Sequence, residues 1–350
     1  IGFGGPLAHV ALLQQELLEK RRWVTHRQFL EGFTISQVLP GPVSTQLAIY
    51  IGYRTHKARG AILSGGAFIL PAFLLMLALS WMYFRLGGVP AVQGLFYGMN
   101  PVVLAMIVLS GCSLARSAAR GKPLAGIAAA SAAGIGLFAV NIVAVFAMAG
   151  LLALLLAGPR QPGGAARVRA IPPPTILAPL AWYFFKAGAL LFGGGLVIVP
   201  LLEQDVVGRL QWLTHQEFFD GLALGQVTPG PVLISAAFIG YKVAGFLGAL
   251  IATVAIFLPS FVFVLLGALL LERWRQSPRL QTVVQGVNAA AVGAILGACL
   301  PLSRTALTGP LPMLLFVASV VALERFQIRF WKVLAAGAAA GLTVSSWPAA

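Results

Sequence analysis

The chain has 350 residues, 59% of them hydrophobic and 9% charged, with a mean hydropathy of +0.90. A water-soluble domain carries about 25% charged residues, so this composition excludes a soluble globular protein. The formal net charge of +15, from 24 Lys+Arg against 9 Asp+Glu, does not call for nucleic acid, because the positive-inside bias of membrane loops explains it without a ligand.

The opening Ile1-Gly2-Phe3-Gly4-Gly5 has neither an initiator Met nor a charged n-region and reads as a first helix entered part-way. A basic cluster, Lys20/Arg21/Arg22/Arg27, follows. Residues 28–53 are apolar and end at a second basic cluster, Arg54/Lys57/Arg59. One crossing between two basic loops would leave one of them outside. At the centre stands Pro40-Gly41-Pro42, which cannot continue a helix. Each arm is then about 11 residues, roughly 17 Å at 1.5 Å per residue, or half a bilayer. The segment is predicted to be a re-entrant hairpin with its tip near the midplane, a geometry tolerated only inside protein or beside a water-filled cavity. The alternative is a proline kink in an ordinary spanning helix.

Runs near 61–84 and 91–115 form a predicted pair of crossings, followed by Arg116/Arg120/Lys122. Runs 124–138 and 142–157, separated at Asn141, form another pair. Residues 159–174, rich in Pro and Gly and carrying Arg160, Arg167 and Arg169, read as a cytoplasmic linker.

Beyond the linker the sequence repeats. Adding 189 maps Phe3-Gly4-Gly5 onto Phe192-Gly193-Gly194, Trp23, Thr25 and His26 onto Trp212, Thr214 and His215, and Pro40-Gly41-Pro42 onto Pro229-Gly230-Pro231. After a one-residue deletion the offset is 188, and Gly52-Tyr53, Pro71 and Asn100 meet Gly240-Tyr241, Pro259 and Asn288. Two homologous repeats, 1–158 and 175–350, are therefore expected. Nineteen of the 24 cations lie in six short segments, all placed in the cytoplasm by the positive-inside rule. The basic loops of one repeat correspond to charge-poor loops of the other, so the repeats are expected to be inverted. Five crossings each, including 176–202, 243–271, 280–303, 309–323 and 333–347 in the second, plus one hairpin each satisfy every loop. The fold class is an all-α polytopic membrane protein built from two inverted repeats, the arrangement of secondary transporters.

Broken helices at the midplane expose backbone N–H groups and a partial positive charge at each helix N-terminus, which suits an anion. The candidate binding residues are Gln37, Pro40, Gly41, Pro42, Ser44 and Thr45 in one hairpin and Gln226, Thr228, Pro229, Gly230 and Pro231 in the other. Gln46 and Ser235 offer further neutral hydrogen-bonding groups. Gly4 and Gly5, with Gly193 and Gly194, either break a helix beside the site or let helices pack closely. Lys186, the one cation well inside a predicted span, is either a substrate ligand or a snorkelling side chain. Asn100 and Asn288 suit interhelical hydrogen bonds at least as well as a ligand. His26/His215, Glu16/Asp205 and Glu31/Asp220 fall near membrane boundaries and read first as surface anchors, with titration during transport as the other reading. Cys112 and Cys299 define neither a disulfide framework nor a metal site, and no enzyme motif or cofactor site appears.

Phe3-Gly4-Gly5-Pro6-x-x-His9, Trp23-x-x-x-x-x-Phe29, Gln37-x-x-Pro40-Gly41-Pro42 and Gly52-Tyr53, with their echoes from Phe192 and Gln226, resemble the chromate ion transporter family in its long, two-domain form. The resemblance implies a bacterial inner-membrane carrier that exports chromate and confers resistance to it, with sulfate as the related oxyanion. An inside-negative potential contributes about 2.3 kcal/mol per charge per 100 mV. For a dianion that is roughly 4.6 kcal/mol outward, about three decades of concentration. Self-association into a homo-oligomer is left open by the sequence.

Overall fold

In the computed structural model the described residues are 5–118, 122–138, 144–146, 148–149, 151–152, 176–191, 195, 198–274 and 278–345; they form helices and turns, with no strand among them. The linker 159–174, Gly4, Gly193, Gly194 and Asn141 lie outside the described residues.

Helix α1 (Gly5–Leu13) runs into a π-helical segment, Gln14–Lys20. Helix α2 (His26–Val38) starts at a capping box, in which the Gln28 N–H donates to the Thr25 hydroxyl and the Thr25 N–H donates to the Gln28 side chain. It stops at Pro40-Gly41-Pro42, and α3 (Val43–Leu86) begins. The chain doubles back at this point: a side chain added at Gly32 would strike Tyr50 and Leu47, so the two arms lie antiparallel about Gly41. The proline-glycine break thus makes a hairpin rather than a kinked crossing.

Helix α3 reverses again at His56 and Lys57, which leave helical geometry. The arm before the reversal packs on the span after it, with the Ser64 hydroxyl donating to the Ala48 carbonyl at 2.6 Å and Gly52 lying against Gly60. The remainder of α3, about 30 residues or roughly 45 Å at 1.5 Å per residue, is long enough to cross a bilayer.

Helices α4 (Pro90–Ala118) and α5 (Lys122–Phe138) follow. Beyond the linker come α6 (Leu177–Ala189), α7 (Ile198–Leu202) continuing into a π-helical Glu203–Arg209, and α8 (His215–Val227). A 3-10 turn (Val232–Ile234) leads into α9 (Ser235–Trp274), and α10 (Pro278–Ala306), α11 (Pro310–Glu324) and α12 (Phe330–Ser345) complete the chain.

The local devices of the first part recur at the sequence offset. Thr214 and Glu217 form the second capping box, Gly240 lies against Gly248 as Gly52 does against Gly60, and α9 reverses at Ala244 and Gly245. Gly245 has φ +61° and Lys57, its counterpart, φ +52°, a region that a side chain makes costly and glycine does not. Lys57→Gly is therefore expected to stabilise the protein by about 1 kcal/mol, read as a raised thermal unfolding midpoint in detergent; an unchanged or lowered midpoint contradicts this.

The one-residue deletion has a geometric explanation. Between the tip and the conserved packing on Tyr50 or Phe238, the first repeat winds as α-helix while the second starts with three 3-10 residues. Three residues at about 2.0 Å each rise as far as four at about 1.5 Å. The shorter segment reaches the same depth by overwinding.

One expectation is corrected. Residues 176–202 do not form a continuous crossing: α6 ends at Ala189, the C-cap Leu190 donates its N–H to the Lys186 carbonyl, and Leu191 is outside any helix. Helix α6 has 13 residues, roughly 20 Å, so it is a half-helix that stops inside the protein. Gly193 and Gly194, which sequence left between breaking and packing, follow this helix end and lie outside the described residues.

Helices α4, α5, α10, α11 and α12 pack across the two parts, α4 against α10, α11 and α12 and α5 against α10. Small residues let them approach. Gly98 and Gly94 lie on the backbone of Gly337 and Gly341, and Gly293 and Gly297 on that of Ala128 and Ala132. These glycines, spaced four residues apart, are thus helix contacts. Outside, α3 exposes Ile62, Leu63, Leu70 and Leu74, and α9 exposes Phe246, Leu247, Val254 and Leu258. Apolar faces of that extent suit lipid rather than water. Cation–aromatic pairs, Arg21 with Trp23, Arg85 with Trp81, Lys186 with Trp182 and Lys332 with Trp331, have the composition of interfacial anchors. The protein is a multi-pass membrane protein.

Candidate functional site: the crossed hairpin tips

Each hairpin tip is built on the long helix of the other part. Gly41 sits against Ser260 of α9, and the Gly41 N–H donates to the Leu191 carbonyl at 2.6 Å, in the break after α6. Reciprocally, Gly230 sits against Ala72 of α3. Ser260 and Ala72 are equivalent positions, each following a proline within its helix, Pro259 and Pro71, and each near the middle of its span. Both tip glycines have φ that only glycine adopts readily, +136° and +150°, and a side chain on either would meet its neighbour.

The mouths lie at opposite ends of α3. The first hairpin returns into α3 at His56 and Lys57. The second packs its Phe238, Tyr241 and Lys242 on Tyr83 and Phe84, near the far end of α3.

The tips differ in chemistry. The first opens an α-helix whose N-cap is Pro42 without a side-chain cap, leaving the first-turn N–H groups available. Ser44, Thr45 and Gln46 are buried there. The Gln46 side chain donates to the Pro40 carbonyl at 2.6 Å and clamps the tip. The Thr45 and Ser260 hydroxyls and the Gln46 Oε1 are buried without a hydrogen-bond partner. An unmet buried polar group costs about 1–3 kcal/mol, so three around one tip describe a site prepared for something polar. At the second tip the corresponding turn is Val232, Leu233 and Ile234, all buried. Its polar groups are largely spent locally, the Thr228 hydroxyl donating to the Leu224 carbonyl and that of Ser235 to the Val232 carbonyl. The Gln226 Nε2 is the exception, being buried and unpartnered.

Of the residues singled out from sequence, Pro40, Gly41, Pro42, Ser44 and Thr45 are brought together at the first tip, and Thr228, Pro229, Gly230 and Pro231 at the second. Gln37 is exposed. Gly5 lies in α1. Lys186 is exposed, 6.0 Å over the Trp182 ring; the structure does not bring it to either tip, and its flexible stem lets it reach outward as snorkelling predicts. Ser260 was missed, although its position beside the repeated Pro71/Pro259 pair was a usable signal. Asp220, expected as a boundary anchor like Glu31, is instead 4% exposed. Among the described residues, no group of His, Cys, Asp and Glu could hold a metal ion.

The chromate transporter family model matches residues 1–154 and 178–342. The chain belongs to the chromate transporter family. It is 37% identical to the chromate transport protein of Cupriavidus metallidurans, over 97% of this chain and 88% of that protein. It is 33% identical to the chromate transport protein of Pseudomonas aeruginosa, over 98% and 89%, and 26% identical to an uncharacterised transporter of Methanocaldococcus jannaschii, over 85% and 79%. No solved structure matches. Membership of a transporter family accords with a tip made of a helix end and neutral hydrogen-bond donors.

Proposed function

We propose that this chain exports chromate, as the tetrahedral dianion, across the bacterial inner membrane and so confers chromate resistance. The observation that carries the reading is the first hairpin tip, which has an uncapped helix N-terminus, the buried Thr45 hydroxyl in its first turn and the buried Ser260 hydroxyl beside Gly41. N–H and O–H donors in a low-dielectric interior can replace the hydration of an anion without a fixed cation. Such a site binds a dianion yet lets it leave.

Residues 1–158 and 175–350 act as inverted halves joined by the linker 159–174. Each half lends a long helix to the other's hairpin. Rocking of one half on the other exposes the first tip alternately to each side. The opposed mouths along α3 and the distribution of basic loops support this reading. The potential alone contributes roughly 4.6 kcal/mol outward for two charges at 100 mV.

Direction is tested with labelled chromate in inverted and right-side-out membrane vesicles. Energised inverted vesicles are expected to accumulate it and right-side-out vesicles to exclude it, with sulfate competing through the same shape and charge. Accumulation only in right-side-out vesicles contradicts export. Pro40→Ala and Pro229→Ala let helix run through a tip and are expected to abolish transport in protein that still reaches the membrane; transport at the parental rate sinks the hairpin mechanism.

A further inference from the structure

Asp220 belongs to α8, the first arm of the second hairpin, and is buried at 4% exposure. Its carboxylate accepts three hydrogen bonds, from the Tyr83 hydroxyl of α3 at 2.8 Å, from the Asn100 Nδ2 of α4 at 2.8 Å and from the Gln216 Nε2 at 2.9 Å. All three donors are neutral. Charged groups around it are committed elsewhere. On its own helix, Glu217 is held by Lys242 of α9 at 2.6 Å. In the π-helical segment before α8, Glu203 pairs with His215 and Asp205 with Arg209. Among the described residues, α3 presents only Tyr83 to it, α4 only Asn100, and no cation from α9 or α10 pairs with it.

The first repeat shows what is missing. Glu31, the counterpart of Asp220, pairs with Arg27 four residues earlier at 3.1 Å, on the surface. The counterpart of Arg27 is Gln216. The same helical pair has thus exchanged its cation for a neutral amide where the carboxylate is buried. An ionised carboxylate without a counter-charge is costly to bury. Proton uptake removes that charge and also changes the bonding: a proton on Oδ2 makes that oxygen the donor to the Tyr83 hydroxyl, while Oδ1 goes on accepting from Asn100 and Gln216 in bonds no longer strengthened by a charge. The ties from the hairpin arm to α3 and α4 are then weaker than in the ionised form.

We propose that Asp220 is a proton-binding site that links the position of the second hairpin to the proton gradient, making transport proton-coupled. The ionised form locks α8 to α3 and α4 through Tyr83 and Asn100, and the protonated form frees it to move. This rests on the transport reading above but uses neither hairpin tip.

The test is chromate flux in proteoliposomes at clamped membrane potential, across a series of pH values, for the parent, Asp220→Asn, Tyr83→Phe and Gln216→Arg. The parent is expected to show a flux that changes severalfold with pH, and Asp220→Asn a flat profile. Removing a donor with Tyr83→Phe favours the proton and moves the midpoint to higher pH. Restoring the cation with Gln216→Arg favours the ionised form and moves it to lower pH. Failure of these opposite shifts, or a pH-insensitive parent that still carries chromate, overturns the proposal while leaving the transport reading intact. A second readout needs no flux: acidification is expected to raise a carboxyl C=O infrared band in the parent that is missing in Asp220→Asn. If that band is identical in both proteins, Asp220 binds no proton in this range and the proposal falls.

Discussion

Thr45→Val and Ser260→Ala are each expected to raise the chromate concentration for half-maximal transport by about 10- to 100-fold. A hydrogen bond to a charged group contributes about 1.5–3 kcal/mol, and each 1.4 kcal/mol is tenfold in affinity. Both hydroxyls are buried and unpartnered, so neither has a protein bond to lose, and removing it should not unfold the protein. That separates ligand loss from structural loss. Thr253→Val in the same long helix α9 is the control, because that hydroxyl already donates to the Ala249 carbonyl at 2.7 Å. Its half-saturation is expected to stay within about twofold of the parent, by the small effect typical of changes away from a site. Concentration dependence of initial flux checks both; parental half-saturation in Thr45→Val and Ser260→Ala would remove the first tip from the binding path.

The second large effect is structural. Gly240→Val, or Gly52→Val in the other part, places a branched side chain on the backbone of Gly248 or Gly60, where even a Cβ finds no room. Backbone cannot swing aside as a side chain can, and overpacking costs about 1–3 kcal/mol or more. Here the contact sets the spacing between a re-entrant arm and the span that follows it. Detergent-solubilised Gly240→Val and Gly52→Val are expected to lose the monodisperse peak in size-exclusion chromatography. Gly66→Val is the comparison, since a side chain at Gly66 meets nothing within 4 Å, and it should elute as the parent does. Monodisperse Gly240→Val with a parental thermal midpoint would show that the arm does not pack as closely as described.

Much of this architecture was legible in the sequence because its cues are covalent or periodic. Proline removes a donor wherever it stands, so Pro40 and Pro42 stop a helix without help from tertiary structure, and the repeat confirms the position by stating it twice. Uncharged runs and clustered cations report the bilayer directly. What sequence could not give was which half meets which. The crossing of Gly41 onto Ser260 and Gly230 onto Ala72 is a property of two elements far apart in the chain, and no local pattern encodes it. The break after Leu190 was equally ambiguous, since glycine serves close packing and helix interruption alike.

Reading the repeat for its differences rather than its matches would have recovered more. Gln216 against Arg27 marks the loss of a cation beside Asp220, and Leu233-Ile234 against Ser44-Thr45 marks the second tip as apolar. Lys186 stayed open between two readings for a physical reason: depth along a helix does not say which face a long side chain takes, and this one lies outward against Trp182. One hairpin carries the polar tip, against the middle of α9, and the other the buried carboxylate, beside Tyr83 toward the far end of α3.

On the proposed mechanism a tetrahedral oxyanion crosses through these crossed hairpins, driven by the membrane potential. The most direct measurement is flux of labelled chromate trapped in proteoliposomes of the purified protein while the potential is set by a potassium gradient and valinomycin. Protein-dependent efflux is expected to accelerate as the interior is made negative and to disappear in the Pro40→Ala, Pro229→Ala double variant. Efflux no faster than from protein-free liposomes, or efflux equally fast in the double variant, would contradict it.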